Sequence, residues 1–439
     1  MSKPNILYIF TDQQCADAMS CAGNPYVRTP AMDRLAANGV RFDNAYCSYP
    51  LCVPSRMSMV TGRMPHEMEI FANCHPTERI CPFPTLGTLF REAGYRTRWI
   101  GKWHLTIPEE RAEEHGFTRI RYGDGYGDTD ARKTAETVDF LKECHEQPFF
   151  LVLSFNNPHD CCEWSRGDEL KMGPLPDPPP PADLPPLPRN HCIPEGEPDM
   201  LRCFAREQQR TFRAMEWDEM QARRYLWGYY RLVEMVDREV GRVLDAVSEA
   251  GLEDDTLIVF SSDHGDGAAR HRWNQKWSLY DESARVPLIV AGRGVGRAGE
   301  VDDRLVSAGL DLLPTLCDYG GITVPDGLQG RSLRALIDDD GAADWRDRVV
   351  SETTLSMWAE VGEDNWPKAR MVRSDRYKYV AYDKGEIREQ LLDMHGDSGE
   401  TVNLAARPDH RRILARHREL LDDWCRKTSD AFRRDNPDA

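Results

Sequence analysis

Four short apolar runs in this chain each end in residues that can bind a cation or move a proton. Asp12-Gln13 follows Ile6 to Phe10, and Lys102 and His104 follow Trp99-Ile100. His159 follows Leu153-Ser154 behind Asn157-Pro158, and Asp263-His264 follows Phe260-Ser261. Carboxylate, amide and imidazole are ligands for a divalent cation. Ammonium and imidazole can hold an anion and shuttle protons. One polar residue after a strand is only a turn residue. Four such ends together describe a metal site beside an oxyanion site.

A fifth element is Cys52-Val53-Pro54-Ser55-Arg56, followed by Thr61-Gly62-Arg63. Cys52 stands just before a short helix, where free N–H groups and the dipole favour an anion. An isolated cysteine in that place reads as a buried residue before a proline turn.

The elements that must position these groups alternate. Ile6 to Phe10, Thr97 to Ile100, Phe149 to Ser154, Thr256 to Ser261 and Val286 to Val290 read as strands buried on both faces. Helices lie between them. Thr29-Pro30 opens one that should stop at Gly39, and Thr85 to Gly94 is another. The clearest runs from about Arg223 to Ala250, with Leu226, Tyr230, Val233, Val236, Val240, Val243, Leu244 and Val247 at helical spacing. The fold class is therefore α/β, a large mostly parallel sheet sandwiched by helices. Ligands in such sheets bind beyond the carboxyl ends of the strands.

Two stretches break the pattern. Residues 173–198 carry Pro178 to Pro181 and seven more prolines, and should run as an extended surface excursion. From about residue 345 the pattern turns to a hairpin over Met371 to Tyr382, a strand at Leu391-Leu392-Asp393 and a helix within Arg407 to Phe432. We read 1–344 as the catalytic domain and 345–439 as a smaller C-terminal α+β subdomain.

The chain has 439 residues, with 56 basic and 73 acidic side chains and a net charge of −17. That balance opposes nucleic-acid binding, which needs a basic face. There is no apolar run of about eighteen residues, so no membrane helix is expected. No signal peptide is visible, and the 13 irregularly spaced cysteines suit a reduced, cytoplasmic protein.

Cys-x-Pro-Ser-Arg with the downstream Thr-Gly-Arg resembles the signature of the type I, formylglycine-dependent sulfatases of the alkaline phosphatase superfamily. The likeness extends to Gly101-Lys102-Trp103-His104, Pro158-His159, Ser262-Asp263-His264-Gly265 and Lys276 with Tyr280 and Arg285-Val286-Pro287. It implies an alkaline-phosphatase-like fold that hydrolyses an organic sulfate monoester. The resemblance further implies that a maturation enzyme oxidises Cys52 to formylglycine, whose hydrate supplies the nucleophilic oxygen. Arg56 would then stabilise that diol, and Asp12, Gln13, Asp263 and His264 would hold one divalent cation. Lys102 and Lys276 would bind sulfate, His159 would protonate the leaving alcohol, and His104 would deprotonate the second diol hydroxyl.

The metal pairs depart from the Asp-Asp and Asp-Asn of many relatives. Calcium is the family's habit, while an imidazole ligand moves preference towards manganese or zinc. Asp-Gln and Asp-His also resemble the phosphonate monoester hydrolases, so a phosphonate monoester or phosphodiester substrate is the alternative. A catalytically silent binder of sulfated glycans is a third reading, opposed by the intact residue set. The substrate is a small-molecule or saccharide sulfate: a sugar, a phenol or a choline-like ester. His271 is either a substrate contact or a loop residue. Asn73, His75 and Arg79 lie near the mouth, with a structural role preferred.

Overall fold

The computed structural model describes residues 3–73, 81–117, 120–121, 129–338, 344–356 and 366–434. His75 and Arg79 lie outside the described residues. The N-terminal apolar run forms β1 (Asn5–Asp12). It is followed by β2 (Gly39–Phe42), β3 (Ala45–Tyr46), β4 (Arg96–Gly101), β5 (Ile120–Arg121) and β6 (Phe149–Pro158). Next come β7 (Thr256–Ser262), β8 (Leu288–Gly292), β9 (Glu300–Asp302) and β10 (Val306–Ser307). Eight of these strands make one sheet in the order β5-β4-β6-β1-β7-β8-β2-β9. Only β8 runs antiparallel to its neighbours, so the sheet is mostly parallel, as the sequence led us to expect. β3 and β10 pair separately.

Side chains alternate across β1, and each face meets its own core. Leu7 and Ile9 pack towards the helix Glu219–Glu249 together with Phe140, Val233, Val236 and Val240. Ile6, Tyr8 and Phe10 pack towards the helices Cys52–Thr61, Leu86–Glu92 and Leu312–Gly320 through Met57, Phe90 and Leu316. Burial on both faces explains why the strands read as continuous apolar runs.

The long helix starts one turn earlier than its apolar stripe suggests. Asp218 accepts from the Gln221 backbone N–H at 2.8 Å, and the Gln221 side chain accepts from Asp218 N–H at 3.0 Å. This reciprocal cap is worth about 1 kcal/mol. Gly39 does not end the preceding helix. Asn38 takes that place, and Gly39 opens β2. A Cβ at Gly39 would come within 2.4 Å of the Val290 carbonyl oxygen, so β8 requires glycine there.

Residues 173–198 hold no strand and no α-helix, only a short 3-10 turn at Pro181–Asp183, and about half of them are exposed. Arg223 of the long helix ties this segment down by donating to the carbonyls of Pro181, Leu184 and Pro185. Nearer the C-terminus, β11 (Arg348–Thr354), β12 (Lys368–Ser374), β13 (Tyr377–Tyr382) and β14 (Glu389–Asp393) form an antiparallel sheet. Its outer face packs Val372, Tyr379 and Leu391 against Leu414 and Leu421 of the helix Arg411–Thr428. Its inner face packs Met371, Val380 and Tyr382 with Tyr49, Leu51 and Trp277. Among the described residues, no helix is long and apolar enough to cross a membrane.

Candidate active site

The sheet order places β4, β6, β1 and β7 side by side. Gly101 pairs with Ser154, Ser154 with Phe10, and Phe10 with Ser261. The residues just beyond these positions therefore emerge at one edge: Lys102, His159, Asp12 and Asp263. The four strand ends picked out in the sequence belong to one site.

Cys52 is the first residue of the helix Cys52–Thr61, after Leu51 in an extended conformation. The Val53 N–H in the same first turn donates to Asn73 Oδ1 at 3.2 Å. The Cys52 side chain is 1% exposed. Its Sγ lies 3.0 Å from Lys276 Nζ, 3.2 Å from His264 Nε2 and 3.8 Å from Asp12 Oδ1. Burial and Asp12 push this thiol up, but Lys276, Lys102 and His264 outweigh them and hold it well below its ordinary value. The position thus favours negative charge.

Arg56, one turn further along, is fully buried. Its Nη2 donates to Asp12 Oδ2 and its Nε to Asp263 Oδ2, each at 2.8 Å. Nη1 donates to the Lys102 carbonyl and to Ser154 Oγ, each at 3.0 Å. Lys102 Nζ reaches the same Asp12 Oδ2 at 2.7 Å. The Oδ1 atoms of both aspartates face His264 Nε2, at 3.9 Å for Asp12 and 3.6 Å for Asp263. His264 Nδ1 donates to the Gly265 carbonyl at 2.9 Å, which leaves the Nε2 lone pair for the cluster. Asp12, Cys52, Asp263 and His264 each present one ligand-type atom, all within 4.8 Å of one another and all buried. Two carboxylates and an oriented imidazole fit a divalent cation.

Two further imidazoles are shifted in opposite directions. Burial lowers the His104 pKa below its ordinary value, only partly offset by a hydrogen bond with Cys52. Burial also works against protonation of His159, but the negative charges of Cys162 and Asp12 raise it above its ordinary value. The two imidazoles are thus pushed in opposite directions, the pattern that divides base from acid. Burial opposes charge on Lys276 too, yet Cys52 and Asp12 keep its pKa above the usual ammonium range.

Two residues sit differently from the expectation. Gln13 has a left-handed backbone, φ 75°, and its side chain passes the cluster. Its Nε2 donates to Asp266 Oδ2 at 2.7 Å, while its backbone N–H donates to Asp263 Oδ1 at 3.1 Å. His271 is not brought to the site. It is fully buried, its ring stacks on Tyr280, and its nitrogens are engaged by Glu282 and the Gly399 carbonyl. The sequence reading missed Asp266, Gln275 and Ser154. Asp266 accepts from Tyr225, Gln13 and the Gln275 N–H, and Gln275 precedes the Lys276 that reaches Cys52. Asp266 stands three residues after Asp263, a spacing that could have drawn attention to it.

A buried cysteine at a helix start, ringed by lysines, histidines and a cation-type ligand set at one edge of an α/β sheet, suits the hydrolysis of tetrahedral anionic esters. The chain belongs to the sulfatase family, whose model matches residues 4–322. A second model, N-sulphoglucosamine sulphohydrolase, C-terminal, matches residues 269–427. Delta 4,5-hexuronate-2-O-sulfatase of Bacteroides thetaiotaomicron is 35% identical over 447 residues, covering 98% of this chain and 90% of the relative. Arylsulfatase of Clostridium perfringens is 28% identical over 494 residues, covering 95% and 94%. The solved structure of a 2-O GAG sulfatase superposes with a TM-score of 0.84 at 33% identity, covering 98% of this chain and 93% of that one. The protein is a sulfuric ester hydrolase that cleaves sulfate monoesters.

Proposed function

We propose that the chain removes sulfate from a sulfated saccharide, using a formylglycine made from Cys52 and one divalent cation held by Asp12, Asp263 and His264, with Gln13 alongside. The observation that carries this is the Cys52 side chain at a helix start, 3.0 Å from Lys276 Nζ, beside two carboxylates bridged by Arg56. The thiol stands where one hydroxyl of the formylglycine hydrate would be. The saccharide class rests on the hexuronate-2-O-sulfatase relative. The net charge of −17 repels long polyanions, which favours a short, sulfated uronic-acid saccharide over an intact polymer.

A bound cation would lower the pKa of a hydroxyl beside it and draw charge from the sulfate. Calcium is the family's metal, while the imidazole of His264 suits manganese or zinc. Arg56 fixes both aspartates and balances their charge. Lys102 and Lys276 hold sulfate oxygens in a site closed to water, where positive charge counts most. His159, whose pKa is raised, gives a proton to the departing sugar oxygen. His104, whose pKa burial lowers, would take a proton from the second hydroxyl of a formylglycine at position 52, the chemistry that frees sulfate from it. Splitting the reaction this way replaces one difficult displacement by two easier steps.

The test compares kcat/KM for an unsaturated hexuronate-2-O-sulfate disaccharide, an aryl sulfate and an aryl phosphonate. Preference for the disaccharide supports the reading, and a preference for the phosphonate overturns it. Peptide mass spectrometry should find an aldehyde at position 52 in active protein. An unmodified thiol in fully active enzyme would end the formylglycine assignment.

A further inference from the structure

Behind the leaving-group side of the site lies a second set of ligand-type atoms. His159, Cys162 and Glu163 each offer one, and the three lie within 4.8 Å of one another. Their spacing, i, i+3 and i+4 into the helix Cys161–Arg166, puts them on one face. The Cys162 N–H donates to the His159 carbonyl at 3.0 Å, which fixes the turn. Cys162 Sγ is 4.0 Å from His159 Nε2 and 3.2 Å from Gln275 Oε1. Glu163 is 7% exposed. Its Oε1 pairs with Arg166 at 3.1 Å and Lys171 at 3.2 Å. Its Oε2 is buried and finds no hydrogen-bond partner. Sulfate transfer as described has no step at Cys162 or Glu163, although the charge of Cys162 bears on His159.

We propose that His159, Cys162 and Glu163 form an inhibitory site for a thiophilic divalent cation such as zinc. Zinc binds sulfur at about 2.3 Å and nitrogen at about 2.1 Å, so at a tetrahedral angle the two donors stand about 3.6 Å apart. The observed 4.0 Å needs only a small closure. Glu163 Oε2 supplies a third bond, and Gln275 Oε1 or a water completes four. Binding takes Cys162 as the thiolate and displaces the acid proton of His159. The thiolate and carboxylate balance the ion's two charges. Arg166 and Lys171 already draw on Glu163, which keeps the affinity moderate and the occupancy reversible. A thiolate with imidazole selects zinc over calcium or magnesium, so this site differs in preference from the aspartate cluster. An ion on His159 withholds the proton that a sugar leaving group needs. That inhibitory consequence rests on His159 being the leaving-group acid; the binding itself does not.

Two experiments separate these parts. Cobalt titration of full-length Cys52→Ala protein, which lacks a thiol at the first site, should give a near-ultraviolet thiolate-to-cobalt band. Cys52→Ala/Cys162→Ser should lose it. Absence of the band, or its survival in the double variant, overturns the site. In matured enzyme, zinc should inhibit turnover of a saccharide sulfate. Glu163→Gln should keep kcat/KM within about twofold without zinc, and Cys162→Ser is compared with its own zinc-free rate, since its charge bears on His159. Each should raise the zinc needed for half-inhibition about tenfold or more, since ligand loss costs at least as much as loss of an outer partner. An unmoved midpoint overturns the inhibitory site. A cobalt band without zinc inhibition leaves the metal site standing and overturns the role given to His159.

Discussion

Arg56 Nε donates to Asp263 Oδ2 at 2.8 Å while the same guanidinium donates to Asp12 Oδ2, and all three side chains are fully buried. One planar group therefore sets the separation of two carboxylates, Asp12 at the end of β1 and Asp263 just past β7. The Oδ2 atoms are committed to Arg56, and the Oδ1 atoms are turned towards His264. A lysine could supply the charge but not the fork.

Arg56→Lys should accordingly behave as a severe change. Either aspartate can keep a charge partner, but their mutual geometry is lost. We expect kcat/KM to fall by about 100-fold or more, with weaker metal retention on dialysis. Elemental analysis beside steady-state kinetics checks both. Near-normal turnover would show that the fork is dispensable.

Asp263→Asn keeps the shape and removes the charge. It leaves Arg56 short of one buried partner and the cation short of one carboxylate. Metal content should drop, and activity should return only at raised metal concentration, if at all. A variant that resists chelation as well as the parent would contradict the ligand assignment.

His159→Ala should discriminate between leaving groups. A sugar alkoxide needs a proton as it departs, and a nitrophenolate does not. Loss of a general acid costs about 10²–10⁴-fold on the poor leaving group and much less on the good one. Equal losses on a saccharide sulfate and an activated aryl sulfate would move the acid role elsewhere.

His66 predicts a pH effect on stability away from the site. Its Nδ1 lies 2.6 Å from Glu352 and its Nε2 3.2 Å from the Thr428 carbonyl. Asp430 lies 4.0 Å away, and Arg370 bridges Glu352 and Asp430. Burial lowers the imidazole pKa, but the hydrogen bond to Glu352 and the charges of Glu352 and Asp430 raise it overall. The folded chain thus holds this proton more tightly than the unfolded chain. The stabilisation is fully present below about pH 6.5 and is lost as pH rises through the folded value. The Tm difference between wild type and His66→Gln should therefore shrink from about pH 6 towards about pH 9. A difference that stays constant would refute the linkage.

Strand ends were the legible part of this molecule. Apolar runs buried on both faces announce parallel strands, and the residues after them announce the edge where ligands bind. Asp12, Lys102, His159 and Asp263 converge for that reason. Gln13 and His271, with φ of 75° and 52°, were not legible because each side chain is held by partners that no local pattern pairs with it, Asp266 for Gln13 and Glu282 with the Gly399 carbonyl for His271. Gly39 misled for a different reason. Its small size serves a neighbouring strand distant in sequence, and only the pairing of β2 with β8 reveals that. The contact of the C-terminal sheet with Tyr49 and Leu51 is likewise a tertiary fact that no local pattern carries.

That contact gives the chain a clock. The Ser351 hydroxyl donates to the Cys47 carbonyl, the Glu352 N–H to the Ser48 carbonyl and the Thr354 N–H to the Tyr49 hydroxyl, which clamps the segment leading into Cys52. The clamping strand is 304 residues downstream of Cys47. At about 5–20 residues per second, a ribosome needs about 15–60 s to reach it. For that interval the cysteine segment is already made and not yet pinned from behind. Afterwards the Cys52 side chain is sealed from solvent. If Cys52 is matured as proposed above, the catalyst would find its segment most open in that interval, before the last strands arrive.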